Sequence, residues 1–208
     1  MDTAVALVNA YLHINGYFTV TEYQVIESHY QGARARTDLD ILAVRFPGAG
    51  RLVFGGGAAS KAHVIPPDPH LNCPMNETDM IIGEVKEGRA EFNEGLWSPA
   101  VLKTVLVRFG CCSMDHVGGV VDALLRQGHA RTHCGHRVRL VAFGVSPDGR
   151  SGKYEVISLG RIHRFLIDYI REHWDLIRAS EFKDPAFGLL VVLEKAMREY
   201  DAHHPVST

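Results

Sequence analysis

Two short apolar runs in this chain carry acids where a buried strand should carry none. They are TDLDILAVRF, residues 37–46, and DMIIGEVKEG, residues 79–88. In the first, Ile41, Leu42, Ala43, Val44 and Phe46 follow Asp40 with only Arg45 between them. In the second, Met80, Ile81, Ile82 and Val85 surround Glu84, and Lys86 follows two residues later. Near-continuous apolar runs of this length suit central strands covered on both faces. A lone charge there costs on the order of several kcal/mol to desolvate, so charges in such strands need partners. Side chains at i and i+2 leave one face of a strand. Glu84 and Lys86 therefore point the same way, and a neighbouring strand could bring Asp40 beside them. Two carboxylates and a lysine form a site for a divalent metal and an activated water. Singly, Asp-x-Asp and Glu-x-Lys are common tripeptides and describe a solvated strand face. Their joint occurrence inside apolar runs favours the site.

The 208 residues fit one domain, or one domain with an appendage, and leave enough apolar sequence for a sizeable core. The net charge of −2 gives no global field toward nucleic acid or membrane, so any polyanion site must be a local patch. No apolar run approaches the ~20 residues of a membrane span. Cys73, Cys111, Cys112 and Cys134 could form two disulfides, but a chain of this size needs no staples. The N-terminus lacks a basic region of the signal-peptide kind. The expectation is a reduced, cytoplasmic protein.

Along the chain, TAVALVNAYLHIN (3–15) has helical spacing and stops at Gly16, and residues 17–28 are rich in strand formers. HYQGARAR reads as a polar turn that places Arg34 and Arg36 just before Asp38. Residues 47–78, rich in glycine and proline, read as a long irregular insertion flanking the site mouth and mobile without substrate. Gly55, Gly56 and Gly57 lack the GxxxxGK[ST] pattern and read as plain flexibility rather than a phosphate loop. Residues 89–98 read as a loop and 99–109 as a helix begun by Pro99. Ser113 is expected to cap a second helix that stops at Gly128. Strands are expected over 137–145 and from Lys153, with SPDGR a turn between them. Helices are expected over 162–177 and 184–200. The expected division is a core over 1–150 carrying the insertion, with a strand and helices over 151–208 packed on it.

The run AYLHINGYF, then TDLDILAV, then IIGEVKEG resembles the PD-(D/E)XK nuclease superfamily, in particular relatives of the Holliday-junction-resolvase type. The resemblance covers the first ~145 residues and implies a restriction-endonuclease-like αβββαβ core: an α/β fold with a mixed central sheet and additional C-terminal helices. Matched by motif, Asp40 takes the place of the metal-binding aspartate, Glu84 that of the second acid and Lys86 that of the lysine. The family's extra glutamate falls in the first helix, where this chain is apolar around Val5 and the nearest polar residue is Asn9.

The residue types suit phosphodiester hydrolysis. Asp40, Glu84 and the Val85 carbonyl offer the oxygen ligands that Mg²⁺ or Mn²⁺ prefers, and Lys86 could orient the water or stabilise the transition state. Asp38 shares a face with Asp40, as a second ligand or as the polar entry of the strand. Glu22 and Glu27 could replace the absent helix acid, or form a solvated strand face. Arg34 and Arg36 are the nearest candidates for nucleic-acid contacts. Cys111, Cys112, His116, His133, Cys134 and His136 lack a zinc-ligand spacing and read as structural cysteines and surface histidines. RQGHARTHCGHRVR (126–139) holds four arginines and three histidines; it reads as a solvated hairpin or loop that could contact phosphates. Trp97 and Trp174 read as core or interface aromatics. The expected function is a metal-dependent nuclease acting on DNA, with a homodimer allowed and no membrane partner. The alternative is a catalytically inactive nuclease-fold module that binds nucleic acid or serves assembly. A second alternative is an interaction domain in which Asp40, Glu84 and Lys86 form a buried ion-pair network without metal.

Overall fold

The computed structural model describes residues 2–29, 32–53 and 63–204. Helix α1 (Thr3–Ile14) starts where the Asp2 carboxylate accepts from the Ala4 N–H at 2.9 Å. It is followed by Gly16 at φ +85°. Strands β1 (Phe18–His29) and β2 (Gly32–Arg45) form a long antiparallel pair. The polar turn expected over 29–36 is thus mostly strand, with residues 30 and 31 outside the described part. The insertion, expected to be irregular, carries a two-stranded sheet of β3 (Arg51–Val53) and β4 (His63–Ile65), then a short 3-10 helix over Pro69–Leu71. Gly55, Gly56 and Gly57 lie outside the described residues.

Strand β5 (Asp79–Val85) is buried along its whole length and pairs antiparallel with β2. A 3-10 turn over Glu94–Trp97, within the segment read as loop, leads into α2 (Pro99–Arg108). Helix α3 (Val117–Gln127) begins four residues after Ser113, whose carbonyl accepts from Val117, and not at Ser113 itself. Strand β6 (His129–Arg131) returns onto β7 (Arg137–Gly144), which lies parallel to β5. The expected SPDGR turn contributes Gly149 and Arg150 to β8 (Gly149–Ser151), which pairs with β9 (Tyr154–Ser158). Three helices follow: α4 (Leu159–Glu172), α5 (Trp174–Ile177) and α6 (Pro185–His203). The single helix expected over 162–177 is therefore two, broken at His173.

Among the described residues the main sheet is seven-stranded and mixed, in the order β1-β2-β5-β7-β9-β8, with β6 on β7. The alternation of β5 decides its packing. Ile81 and Val85 join α1, α4 and α6 on one face, whereas Met80 and Ile82 join α2 and α3 on the other. The result is an α/β protein with helices on both sides of the sheet. Among the described residues no helix is long and apolar enough to cross a membrane.

One side of the insertion is anchored rather than free. Asp68 is 1% exposed; it accepts from the buried Tyr11 hydroxyl at 3.0 Å and from Arg161 at 2.7 Å. Burial alone would raise the Asp68 pKa, but Arg161, the His70 N–H and Tyr11 outweigh it and hold the carboxyl below its ordinary value. Tyr11→Phe removes a hydrogen bond to a charged group and should cost about 1.5–3 kcal/mol in urea unfolding. An unchanged midpoint would show that the α1 tether contributes nothing.

Candidate active site

The pairing of β2 with β5 stops at Ile41 and Gly83, one residue short of Asp40 and Glu84. Beyond that point a side chain replaces the ladder: the Asp40 Oδ2 accepts from the Val85 N–H at 2.8 Å. The N–H and C=O of a strand residue face the same neighbour, so the Val85 carbonyl is also directed toward the Asp40 side. Close packing beneath the site depends on Gly83. A Cβ there would lie 3.0 Å from the Phe143 ring and 3.1 Å from the Ile41 Cβ, so these side chains would have to give by a few tenths of an ångström.

Glu84 shares the strand face of Met80 and Ile82 and is 1% exposed. Its Oε1 accepts from the Lys86 ammonium at 2.6 Å and from the Asn93 side-chain amide. Its Oε2 is buried with no hydrogen-bond partner. Desolvation dominates its titration, and the neighbouring Asp40 adds to it. Together they raise the carboxyl from 4.5 to about 7 in spite of Lys86. Asp40, half-buried, is also raised. Desolvation leads, the Val85 N–H and Lys86 oppose it, and Asp2 and Glu22 add to it. A buried carboxylate oxygen without a donor is costly unless a cation meets it. The hard oxygens of Asp40, Glu84 and the Val85 carbonyl fit Mg²⁺ or Mn²⁺. Such ions take one or two carboxylates and keep several waters. Among the described residues no group of three His, Cys, Asp or Glu is placed to hold a metal ion.

Two further acids border Asp40. Glu22 falls between Thr21 and Tyr23, which pair with Ile41 and Leu39, so it stands across from Asp40 on β1. Its φ of +53° is unusual for a non-glycine residue. Asp2, missed in the sequence reading, reaches the field of Asp40 from the N-cap of α1. The signal was present, since an Asp directly before a helical run is an N-cap. Asn93 was also missed, and a polar residue in an irregular segment carries no signal for it. Val5 and Asn9 of α1 are buried, and Asn9 engages Asp184 and Thr19 rather than the site. Asp38 is exposed opposite Gln24. Glu27, Arg34 and Arg36 have their backbone in β1 and β2, and their side chains lie outside the described part.

The other constellations are placed elsewhere. His116 stacks on His133 at 4.4 Å, and the Cys134 thiol lies 3.2 Å from the His133 Nε2. Within 126–139, read as solvated, Arg139 is fully buried in an ion-pair network. Trp97 packs with Phe92 and Tyr154, and Trp174 lies under Arg198. Comparison with protein-family models, curated proteins and solved structures finds no match.

Proposed function

We propose that this protein is a metal-dependent phosphodiesterase of the restriction-endonuclease-like type, acting on DNA. The observation that carries the reading is the placement of Asp40, Glu84 and Lys86 where β2 and β5 part, with the Glu84 Oε2 buried and unpartnered. The order α1, β1, β2, β5, α2 with α3, then β7 supports it. In that order β1, β2 and β5 are antiparallel and β7 is parallel to β5, as an αβββαβ core requires.

In this reading Asp40, Glu84 and the Val85 carbonyl hold Mg²⁺ or Mn²⁺. The bound ion supplies charge neutralisation on the phosphate and lowers the pKa of a bound water. The chain's own groups do the rest. The Asp40 carboxylate keeps the end of β5 in place through the Val85 N–H. Asn93 and Lys86 fix Glu84 through one oxygen and leave the other without a hydrogen-bond partner. Lys86, one-third exposed, reaches solvent and is placed to orient a water or meet charge developing on the phosphate. Asp2 and Glu22 supply the additional negative charge that the apolar middle of α1 does not. Arg34 and Arg36 would contact the DNA backbone. Cys73, Cys111, Cys112 and Cys134 are unpaired, which suits a cytoplasmic setting.

A second reading, a catalytically silent nucleic-acid-binding or assembly module, is favoured by the closed Lys86–Glu84 ion pair. One assay separates the two. Branched, duplex and single-stranded DNA, with single-stranded RNA beside them, are incubated with Mn²⁺, Mg²⁺ or chelator. The nuclease reading expects cleavage only with metal, and at least a ~100-fold loss in Asp40→Asn. DNA binding without cleavage, unchanged in Asp40→Asn, would replace it with the second reading.

A further inference from the structure

The cysteines and histidines around the start of α3 have no part in the nuclease reading, yet the fold gathers them. His116, at the N-cap of α3, stacks on His133 with ring centres 4.4 Å apart. The stack holds the segment 111–116 against the turn between β6 and β7. That turn is tight: the Gly135 N–H donates to the Thr132 carbonyl, and Gly135 has φ +81°. One thiol comes from each side of the contact, Cys112 from the segment and Cys134 from the turn, and both are free.

The two thiols differ in their surroundings. Cys134 is exposed, and its Sγ lies 3.2 Å from the His133 Nε2. Reactive cysteines are accessible and sit beside a group that takes their proton. The stack on His116, itself 2.8 Å from the Ser113 Oγ, fixes the His133 ring. Cys112 is 4% exposed. Burial raises its thiol, and Cys134 adds to the rise, so the two sulfurs lie within electrostatic reach of each other. The remaining cysteines are placed differently. The Cys111 thiol is turned inward, donating to the Leu106 carbonyl at 3.0 Å, and burial pushes it up to about 11. Cys73 packs on the opposite side of the sheet, with the core under α1, and burial raises it too.

We infer that Cys134 is an oxidation site for a hydroperoxide, with His133 as its base and Cys112 as the thiol that closes a disulfide with it. The exposed sulfur reacts first and the covered one second. The Cys134 sulfur attacks one peroxide oxygen and the O–O bond breaks. The thiol proton passes through His133 to the leaving hydroxide, which gives water and a sulfenic acid on Cys134. The Cys112 sulfur then attacks the Cys134 sulfur, the S–O bond breaks, and the hydroxyl leaves as a second water with the Cys112 proton. Two thiols are oxidised to one disulfide, and one peroxide is reduced to two waters. The product ties the start of α3 to the β6–β7 turn. This inference does not rest on the nuclease reading, and its test uses no nuclease activity.

The full chain, reduced and then freed of reductant, is treated with a small excess of hydrogen peroxide, alkylated and mapped by mass spectrometry. The expected product is an intramolecular link between the peptides of Cys112 and Cys134, lighter by two hydrogens and reversed by phosphine, with Cys73 still alkylated. His133→Gln should slow its formation at least ~10-fold, while Cys73 is alkylated at the parent rate, which separates loss of the base from loss of fold. In Cys112→Ala the reaction should stop at the sulfenic acid, trapped on Cys134 as a dimedone adduct. Cys112 is buried, so if that variant does not fold the link in the parent chain decides. Oxidation of Cys73 or Cys111 ahead of Cys134 overturns the inference. So does a Cys134 that goes on to sulfinic acid in the parent without the link, a product linked between two chains, or an unchanged rate in His133→Gln.

Discussion

Glu84→Gln is expected to abolish Mn²⁺ binding and cleavage together, and at the same time to raise the melting temperature of the metal-free protein at pH 8. Both effects come from one carboxylate. In the proposed metal site it would contribute a charged oxygen that an amide does not match. As a buried group it is held at about 7, above its ordinary 4.5, mainly by desolvation. The sign follows from linkage. A carboxyl whose folded pKa is raised binds its proton more tightly in the folded state. Its contribution is therefore most favourable below pH 4.5 and is lost as pH rises through about 7. At pH 8 the ionised Glu84 costs roughly 1–3 kcal/mol, the upper value being the full shift at 1.36 kcal/mol per unit. Glutamine removes that cost, so the gain should be present at pH 8 and absent near pH 4. Lys86, left without its partner, is still partly solvated, which limits the loss on that side. In the proposed site a metal would compete with the Glu84 proton, so Mn²⁺ affinity should fall about tenfold per pH unit below 7. Lys86→Ala should lose cleavage yet bind Mn²⁺ equally or more tightly, because a nearby positive charge has been removed. Calorimetric titration, a cleavage assay and thermal melts in chelator at the two pH values give all four readings. Unaltered Mn²⁺ affinity in Glu84→Gln would remove the metal-site assignment. A lowered melting temperature at pH 8 would remove the account of its burial.

The sequence carried the acids and their strands because period-2 alternation and unpaired charge are local signals. The i, i+2 geometry puts Glu84 and Lys86 on one face and leaves Asp40 to a neighbouring strand; in the structure Lys86 meets Glu84, and Asp40 meets the Val85 N–H between them. The replacement of the β2–β5 ladder by the Asp40 side chain was not legible, since a ladder's end depends on where the strands diverge in space. Gly32, Ala33, Arg34 and Arg36 have turn-like or polar composition, which points to a turn where the β1–β2 hairpin continues. Pairing across from Ala35 to Ile26 and from Thr37 to Val25 overrides that preference. Ser113 looks like the cap of α3 for a related reason, although the helix starts at Val117. A serine is a good cap only if its carbonyl and side chain face the next turn, and here its Oγ meets the His116 Nδ1 instead. Asp68 looked like part of a loose insertion, because its partners Tyr11 and Arg161 are 57 and 93 residues away.

The largest stability effect is expected in the network that fixes the strand carrying Glu84. Asp79 opens β5 and is fully buried. It accepts from the Arg139 guanidinium at 2.8 and 3.1 Å and from the Tyr17 hydroxyl at 2.5 Å. Arg139, also fully buried, donates in turn to Glu155 on β9 at 2.5 Å. Burial alone would lower the Arg139 pKa, but Asp79, Tyr17 and Glu155 outweigh it and hold the guanidinium charged. The four groups bridge β5, β7, β9 and the segment before β1. Because side chains alternate along a strand, a slip of one residue in β5 would send Glu84 to the opposite face. A charge network at one end of the strand therefore protects the position of the acid at the other. Arg139→Met leaves Asp79 with Tyr17 and a distant Arg137 at 3.9 Å, and should cost about 3–5 kcal/mol. In a domain of this size that is a fall of roughly 10 °C in melting temperature. Adding Asp79→Leu removes the stranded charge and should recover half or more of the loss, the remainder reflecting Tyr17 and Glu155. Register gives a second readout: in Arg139→Met, Mn²⁺ affinity should drop while Asp79→Leu/Arg139→Met regains part of it. A cost below about 1 kcal/mol for Arg139→Met, or no recovery in the double variant, would mean that apolar packing of β5 alone holds Glu84 where it is.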